Sequence, residues 1–158
     1  MEQVTTSDNL MRVIEERGIS PVNTMPRMPT EEILVDELDP DKWVTVEQTG
    51  FRLYQFWEHP ETGASIVLFD VPKGSGVPIK HAHASNQFMY CLKGEYEYTD
   101  SGLILRPGSF YMNPKDHPHG PTLAHQDSLL IEMYDGPHYY ETPDFHTEET
   151  VGKVTKVD

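Results

Sequence analysis

The chain has 158 residues, a length typical of one domain that buries roughly 70% of its unfolded surface when it folds. Its 12 basic and 26 acidic side chains give a formal net charge of −14, which opposes contact with nucleic-acid phosphates and anionic lipids, so we expect no nucleic-acid partner and no membrane partner. No segment approaches the ~20 apolar residues of a membrane-spanning helix. Residues 1–9 lack the basic flank and the apolar core of a signal peptide, so we expect a cytoplasmic protein.

Residues 1–29 are predicted to form a short helix and an arm that precede the main domain. The apolar residues of segment 8–17 fall on one face of a helix, and Gly18 follows as a stop signal. Segment 19–29 contains three prolines and no hydrophobic period, which favours an extended arm. These residues are therefore interpreted as an appendage rather than a second domain.

Residues 30–143 have the pattern of many short strands separated by turn residues. Turn chemistry appears at Pro60–Gly63, at Lys93–Gly94 and at Asp100–Gly102, and such short connections leave no room for crossover helices. The predicted strands are EILVD, KWVTVE, FRLYQFWE, ASIVLFDV, NQFMYCLKG, GEYEYTD, GLILR, SFYMN and SLLIEMYD. Nine such strands predict an all-β fold, an antiparallel sandwich or barrel. Residues 144–158 are predicted to be a polar tail without a function.

Histidines carry the chemical information in this sequence. Only one cysteine is present, Cys91, which excludes an intrachain disulfide and a thiolate metal cluster, so a metal must bind mainly through nitrogen and oxygen. Four of the eight histidines fall close together in the chain. They are His81, His83, His117 and His119. The sequence therefore predicts a metal site built from this segment.

The His-x-His pair of His81 and His83 predicts two ligands for one ion. In a strand, alternate side chains point to the same face, so both imidazoles can reach the same point. Gln87 has the same parity if the chain stays extended, and its amide oxygen is a further candidate ligand. His119 is the candidate for the last ligand, with His117 as the alternative.

These residues resemble the first of two signature motifs of the cupin superfamily, small β-barrels that often hold a metal. That motif runs glycine, five residues, His-x-His, three or four residues, glutamate, six residues, glycine. Four residues rather than five separate Gly76 from His81, and His83 completes the histidine pair. Gln87 replaces the glutamate, and Gly94 matches the last glycine.

The second cupin motif is also present in part. It runs glycine, five residues, Pro-x-Gly, two residues, histidine, three residues, asparagine. Gly108, Pro114 and His119 match this pattern, whereas Asp116 replaces the second glycine and Leu123 replaces the asparagine. Two matches at linked spacings imply a single cupin barrel, a jelly roll also called a double-stranded β-helix, with a metal inside.

A narrower resemblance covers about Pro29 to Glu141. The runs MPTEEILVDELDPDKWV, HAHASNQFMYCLKGEYEYTDSGLILRPGSF and LLIEMYDGPHYY are similar to cupins related to 2,4'-dihydroxyacetophenone dioxygenase. Members of that group use a non-haem iron on three histidines to split a carbon–carbon bond beside a ketone with dioxygen. The resemblance implies an Fe(II)-dependent dioxygenase that takes dioxygen and a small hydroxyketone or diketone, with His81, His83 and His119 as metal ligands.

The predicted ligand set favours a substrate that binds as an anion. Three neutral imidazoles and an amide leave the charge of a divalent ion uncompensated, and an enolate or phenolate would supply the missing negative charge. Gln87 is interpreted as either a weak fourth ligand or a hydrogen-bond donor to substrate or dioxygen. Tyr96 and Tyr98 are the first candidates for further catalytic side chains, ahead of Tyr111 and Glu132, whose directions the sequence does not fix.

Strand alternation also predicts the wall of the cavity. If Gln87 points inward, Met89 and Cys91 share its face and give the cavity a soft apolar wall. The remaining histidines are expected at the surface or in loops. They are His59, His125, His138 and His146. Of these, His125 and His138 are expected to lie near the cavity rim at most.

Three classes of function remain open on the sequence alone. The first is the metal-dependent dioxygenase described above. The second is a non-redox isomerase, lyase or hydrolase, because three histidines also suit zinc, and Mn, Ni and Co are further options beside Fe(II). The third is a non-catalytic protein that binds a small molecule, because a fold does not dictate a function. The aromatic strands and the arm favour a homodimer.

Overall fold

The computed structural model of the chain describes residues 32–46 and 49–140. The chain divides into two compact units, Met1–Glu32 and Ile33–Asp158. All of the strands given below belong to the second unit, and the fold is therefore described for that unit alone.

Some of the predictions concern other parts of the chain. The predicted helix and arm of residues 1–29 and the predicted tail of residues 144–158 lie outside the described residues, so the division at these boundaries and at 30–143 stays a prediction. In the part of the chain that the structure describes, no helix is long and apolar enough to cross a membrane.

The described residues form an antiparallel sheet of seven strands, which confirms the predicted all-β class. A single 3-10 turn at Pro40–Lys42 leads into the first strand. The strands are β1 Trp43–Val46, β2 Phe51–Glu58, β3 Ser65–Val71, β4 Gln87–Tyr98, β5 Leu103–Leu105, β6 Phe110–Asn113 and β7 Thr122–Tyr134. Their order in the sheet is β1-β2-β3-β7-β4-β5, and β6 also pairs with β4.

Three of the nine predicted strands are not found as such, because one is absent and two are merged. The segment EILVD has no regular structure, and its Ile33 and Leu34 are 59% and 85% exposed. NQFMYCLKG and GEYEYTD form one continuous strand, β4, instead of a hairpin with a turn at Lys93–Gly94. Strand β7 begins at Thr122, before the predicted segment SLLIEMYD.

Gly94 explains why the predicted hairpin is wrong. Its φ of 91° lies in the left-handed region, which suits a bulge as well as a turn. The register between β4 and β7 shifts on both sides of Gly94, and a Cβ at this position would lie 2.4 Å from Oγ of Ser128. The glycine therefore lets a long strand bend against its neighbour without ending it.

The inward face of the sheet forms the core. On β4 the side chains of Gln87, Met89 and Cys91 are buried, whereas Tyr90 and Leu92 are 41% and 43% exposed. This alternation confirms the predicted face, and burial of each large apolar side chain stabilises the fold by roughly 1.5–3 kcal/mol. The other main core residues are Phe51, Phe69, Val71, Tyr96, Tyr98, Leu105, Ala124 and Leu130.

Candidate metal centre

Three buried histidines converge at one end of the inward face. His81 and His119 form an isolated backbone bridge, with N–H to O distances of 2.9 and 2.8 Å in the two directions. Their ring centroids are 4.6 Å apart, and the ring of His83 lies 4.9 Å from that of His81 and 4.8 Å from that of His119. The candidate ligand atoms all lie within 4.8 Å of one another, so this triangle of rings could hold one metal ion.

The histidine pair does not lie in a strand, contrary to the prediction. The β pairing of His81 is limited to the isolated bridge to His119, and segment 82–86 has no regular structure. The loop is held by the second histidine segment, because the N–H of Asp116 donates to the carbonyl of His83 at 3.0 Å. The rings therefore converge because two loops are joined by backbone hydrogen bonds, and strand parity does not bring them together.

The structure keeps two of the three rings neutral, those of His81 and His119. Burial lowers the pKa of His81 to about 4. Burial, with a smaller contribution from neighbouring histidines, lowers the pKa of His119 to about 2. Nδ1 of His81 lies 3.2 Å from the carbonyl oxygen of Ile79, which can only accept, so Nδ1 carries the proton and Nε2 keeps its lone pair. Neutral imidazoles with a fixed tautomer are the form that binds a metal.

The donor set fits a divalent transition metal. Nε2 of His83 and Nε2 of His119 face each other at 2.8 Å, a distance at which one of them donates a hydrogen bond to the other. Three imidazole nitrogens without a thiolate or a carboxylate are suited to Zn²⁺, Fe²⁺ or a related ion. The three histidines predicted as ligands are thus the residues that the structure brings together.

His117 does not join this cluster. It is exposed, and its Nδ1 lies 3.0 Å from Oδ1 of Asn113. Asn113 also donates from Nδ2 to the backbone carbonyl of His117 at 2.8 Å, which ties the loop to β6. The alternative that places His117 rather than His119 among the rings is therefore not supported by the geometry.

Aromatic side chains pack around His119. The ring of Tyr98 stacks on it with a centroid distance of 5.0 Å, and the hydroxyl of Tyr111 lies 3.0 Å from its Nδ1. The Tyr96 hydroxyl donates to Oγ1 of Thr122 at 2.8 Å. Burial raises the pKa of Tyr96 and of Tyr98 above its ordinary value, so both phenols stay protonated. Both predicted tyrosines therefore lie beside the histidine cluster as neutral groups.

Two other histidines, His59 and His138, lie in loops, as the sequence predicts. His59 is only 2% exposed, and its Nδ1 accepts a hydrogen bond from the N–H of Glu61 in the turn between β2 and β3. His138 stacks on His83 with a centroid distance of 4.8 Å. His125 lies on β7, partly exposed, with its Nε2 2.5 Å from Oε2 of Glu97. His146 lies outside the described residues.

Gln87 belongs to a buried hydrogen-bonded group. Its Nε2 donates to Oε1 of Glu132 at 2.6 Å and to the hydroxyl of Tyr134 at 2.8 Å. The amide orientation follows from chemistry, because a carboxylate oxygen can only accept. Both N–H bonds of Gln87 are therefore used, and its buried Oε1 has no hydrogen-bond partner among the described residues.

Tyr134 connects this group to the outer histidine. Its hydroxyl donates to Oε1 of Glu132 at 2.9 Å and lies 2.6 Å from Nε2 of His138. Among the residues predicted from the sequence, Glu132 ranks below the tyrosines, and Tyr134 is not one of them. The signal for both was strand alternation on β7, where Glu132 and Tyr134 are two residues apart and both are buried.

Two cavities meet at Glu132. A small chamber of about 10 Å³ is lined by His81, His119, Gln87 and both predicted tyrosines, and it is large enough for about one ion or water. A wider, open cavity of about 360 Å³ is lined by Tyr134, His138 and residues of β2 and β3. Glu132 lines both, so the group around it forms the wall between the histidines and the space for an organic molecule.

Comparison with protein families gives one match over most of the chain. The family described as the ChrR Cupin-like domain matches residues 30–138. A comparison with curated proteins gave no match.

Solved structures of similar fold come from several kinds of protein. An acetylacetone dioxygenase from Acinetobacter johnsonii has a TM-score of 0.61 at 20% identity, over 77% of this chain and 86% of that one. KdgF from a Halomonas species has a TM-score of 0.56 at 21% identity, over 70% of this chain and 97% of that one. A chain from the complex of SigE with the anti-sigma ChrR of Rhodobacter sphaeroides has a TM-score of 0.54 at 18% identity, over 85% of this chain and 70% of that one. At these identities the likeness establishes the fold, an all-β cupin barrel.

Proposed function

The chain belongs to the ChrR Cupin-like domain family, and from that premise we propose that it is a metal-dependent dioxygenase that cleaves a carbon–carbon bond in a small hydroxyketone or diketone. The observation that carries the proposal is the buried triangle of imidazole rings, those of His81, His83 and His119, beside a cavity of about 360 Å³. The structural likeness to an acetylacetone dioxygenase supports the same class of reaction.

The three histidines would hold the metal, which we propose to be Fe(II). When bound, this ion would supply Lewis-acid chemistry and reactivity toward dioxygen. The chain contributes a buried site in which the tautomer of His81 is fixed. Tyr98 covers one face of His119, and the Tyr111 hydroxyl fixes the outer nitrogen of the same ring. These residues orient the ligands, and Tyr96 and Tyr98 line the chamber where reacting atoms would meet.

We propose that Gln87 acts through its amide oxygen. Because both of its N–H bonds are used by Glu132 and Tyr134, it has no proton left for substrate or dioxygen. Its buried Oε1 is the atom still available, either as a weak fourth ligand or as an acceptor for a proton on a bound molecule. Of the two roles predicted from the sequence, the geometry supports the ligand over the donor.

Oxygen consumption tests the proposed function. Metal-free protein is loaded with Fe(II), and dioxygen uptake is followed with acetylacetone and with α-hydroxyacetophenone. We expect uptake that depends on both iron and substrate, and loss of uptake in His119→Ala but not in His117→Ala, which serves as the matched control in the same loop. Turnover without dioxygen by the zinc- or manganese-loaded protein would instead establish a non-redox enzyme, to which three imidazoles are equally suited.

A non-catalytic function is a second candidate. The description of the matching family names ChrR, and a chain from the complex of SigE with the anti-sigma ChrR is among the structures of similar fold. Tight binding of a carbonyl compound without product, by protein loaded with any of Fe, Mn, Ni, Co or Zn, would favour this candidate over both enzymes. The acidic charge of the chain does not itself identify a protein partner.

We also propose that the chain forms a homodimer through the outer face of β4 and β6. Tyr90 pairs with Phe110 across these strands, and they are 41% and 63% exposed. Leu92 and Met112 extend this apolar face and are 43% and 44% exposed. Size exclusion with light scattering tests the proposal, with a dimer expected for the wild type and a monomer for Phe110→Lys. A monomeric wild type would contradict it.

A further inference from the structure

Glu132 occupies a central position on the inward face of the sheet. It lies on β7 opposite Val67 of β3 and Met89 of β4, and it is only 4% exposed. Its side chain lines both the chamber beside the histidines and the wider cavity. A molecule that extends from the wider cavity into the chamber would therefore lie against this carboxylate.

One oxygen of Glu132 is available to such a molecule. The hydrogen bonds from Gln87 and from Tyr134 both end on Oε1. Among the residues that the structure describes, none donates a hydrogen bond to Oε2. Unlike Oε1 of Gln87, Oε2 of Glu132 is not a fully buried atom without a partner, so the O–H of a ligand in the cavity can take the place of water as its donor.

The charges around the wider cavity have a single sign. Its described lining residues include two carboxylates, Glu58 and Glu132, and no lysine or arginine. Glu58 is exposed at the rim and accepts a hydrogen bond from Nε2 of Gln55 at 2.7 Å. A ligand with its own carboxylate would meet like charge in this cavity and find no cationic side chain to pair with.

We infer that Glu132 is the specificity-determining residue of the site, and that its Oε2 accepts a hydrogen bond from the hydroxyl or enol of an uncharged carbonyl compound. This inference rests on the proposed function for the location of the site, and it narrows the substrate class. Hydroxyketones and enolised diketones are accepted, ketones without an O–H bind weakly, and oxo acids are rejected.

Ligand binding without turnover tests this inference. Zinc-loaded protein and chelator-treated protein are each titrated by calorimetry with α-hydroxyacetophenone, α-methoxyacetophenone and phenylglyoxylate. The three share the phenyl ketone, and they offer an O–H, no O–H and a carboxylate. We expect the hydroxyketone to bind roughly tenfold or more tightly than the methoxy compound, as a hydrogen bond to a charged group predicts. Phenylglyoxylate is compared on the chelator-treated protein, where no metal ion can pair with its carboxylate, and there we expect it to bind most weakly.

The variant Glu132→Gln distinguishes the effect of this carboxylate on binding from the effect of the other residues of the cavity. The glutamine keeps an acceptor for Gln87 and places an N–H₂ group where Oε2 lies, so the preference for the hydroxyketone is expected to vanish and phenylglyoxylate is expected to gain roughly tenfold. Glu58→Gln removes the same charge from the rim and is the matched control, with changes under about threefold because exposed charges are screened. If Glu132→Gln does not fold, the wild-type ranking alone decides.

Equal binding of the hydroxy and methoxy compounds, tighter binding of phenylglyoxylate to the chelator-treated protein, or no binding of any of the three would overturn the inference. The proposed function fails by a different result. If the ranking holds while iron-loaded protein takes up no dioxygen with α-hydroxyacetophenone, Glu132 selects the ligand of a site that is not a dioxygenase.

Discussion

Acidification is expected to destabilise the metal-free protein through its buried histidines. In the folded state burial lowers the pKa of His81 to about 4, whereas an imidazole in the unfolded chain titrates near 6.5. Between these two values the unfolded state binds more protons than the folded state, so the free energy of unfolding falls as the pH falls. The stabilisation is complete above about pH 6.5 and is lost as the pH approaches 4.

The size of the effect follows from the two pKa values. At pH 5, the difference between 6.5 and about 4 for His81 corresponds to a loss of about 2 kcal/mol relative to neutral pH. The pKa of His119 is lowered to about 2 and adds a loss of similar size, about 2 kcal/mol. Most Asp and Glu side chains stay ionised at pH 5, so the histidines dominate this range.

Urea denaturation followed by circular dichroism at pH 7.5 and at pH 5.0, with a chelator present throughout, measures this loss. His81→Gln is expected to reduce the pH dependence by about half. A wild-type free energy of unfolding that stays flat or rises on acidification would refute the reasoning that these rings are held neutral.

Three substitutions test the packing around the site. Gly94→Ala places a Cβ 2.5 Å from a backbone carbonyl oxygen of β7, at a φ of 91°. We expect the free energy of unfolding, measured by urea denaturation, to fall by about 2–4 kcal/mol. An unchanged midpoint would contradict this expectation. Gln87→Glu replaces the hydrogen-bond donor to Glu132 with a second carboxylate, so the free energy of unfolding at pH 8 is expected to fall by about 3 kcal/mol. A variant as stable as the wild type would show that the hydrogen bond at 2.6 Å is not formed. Tyr96→Phe removes one of the two hydrogen bonds that Oγ1 of Thr122 accepts and leaves the one from the N–H of Val77, so we expect about 1 kcal/mol of lost stability; a gain would show that the hydroxyl is poorly placed.

The sequence predicts the members of the histidine cluster better than the way in which they meet. His81, His83 and His119 were identified from spacing, and they are the rings that converge. Their predicted strand setting is wrong, because the pairing of two loops is a long-range event that no local pattern records. The alternation of side chains along a strand predicts the buried face correctly where the strand is regular, as with Met89 and Cys91 on β4.

Other features depend on tertiary contacts that the sequence does not encode locally. Gly94 has the same signature in a hairpin turn and in a bulge, and only the neighbouring strand decides between them. Glu132 and Tyr134 alternate with apolar residues and could face either side of a sheet until the register with β4 is known. His138 follows the last strand, and only its stacking on His83 reveals that it belongs near the site.

Metal titration tests the central claim of a three-histidine site most directly. Chelator-treated protein is titrated with Zn²⁺ and with Fe²⁺ by calorimetry, and the bound metal is confirmed by elemental analysis after dialysis. The account predicts one ion per chain, with binding lost in His83→Ala and in His119→Ala and kept in His117→Ala. Failure of the wild-type chain to bind either metal, or binding that survives His119→Ala but not His117→Ala, would contradict it.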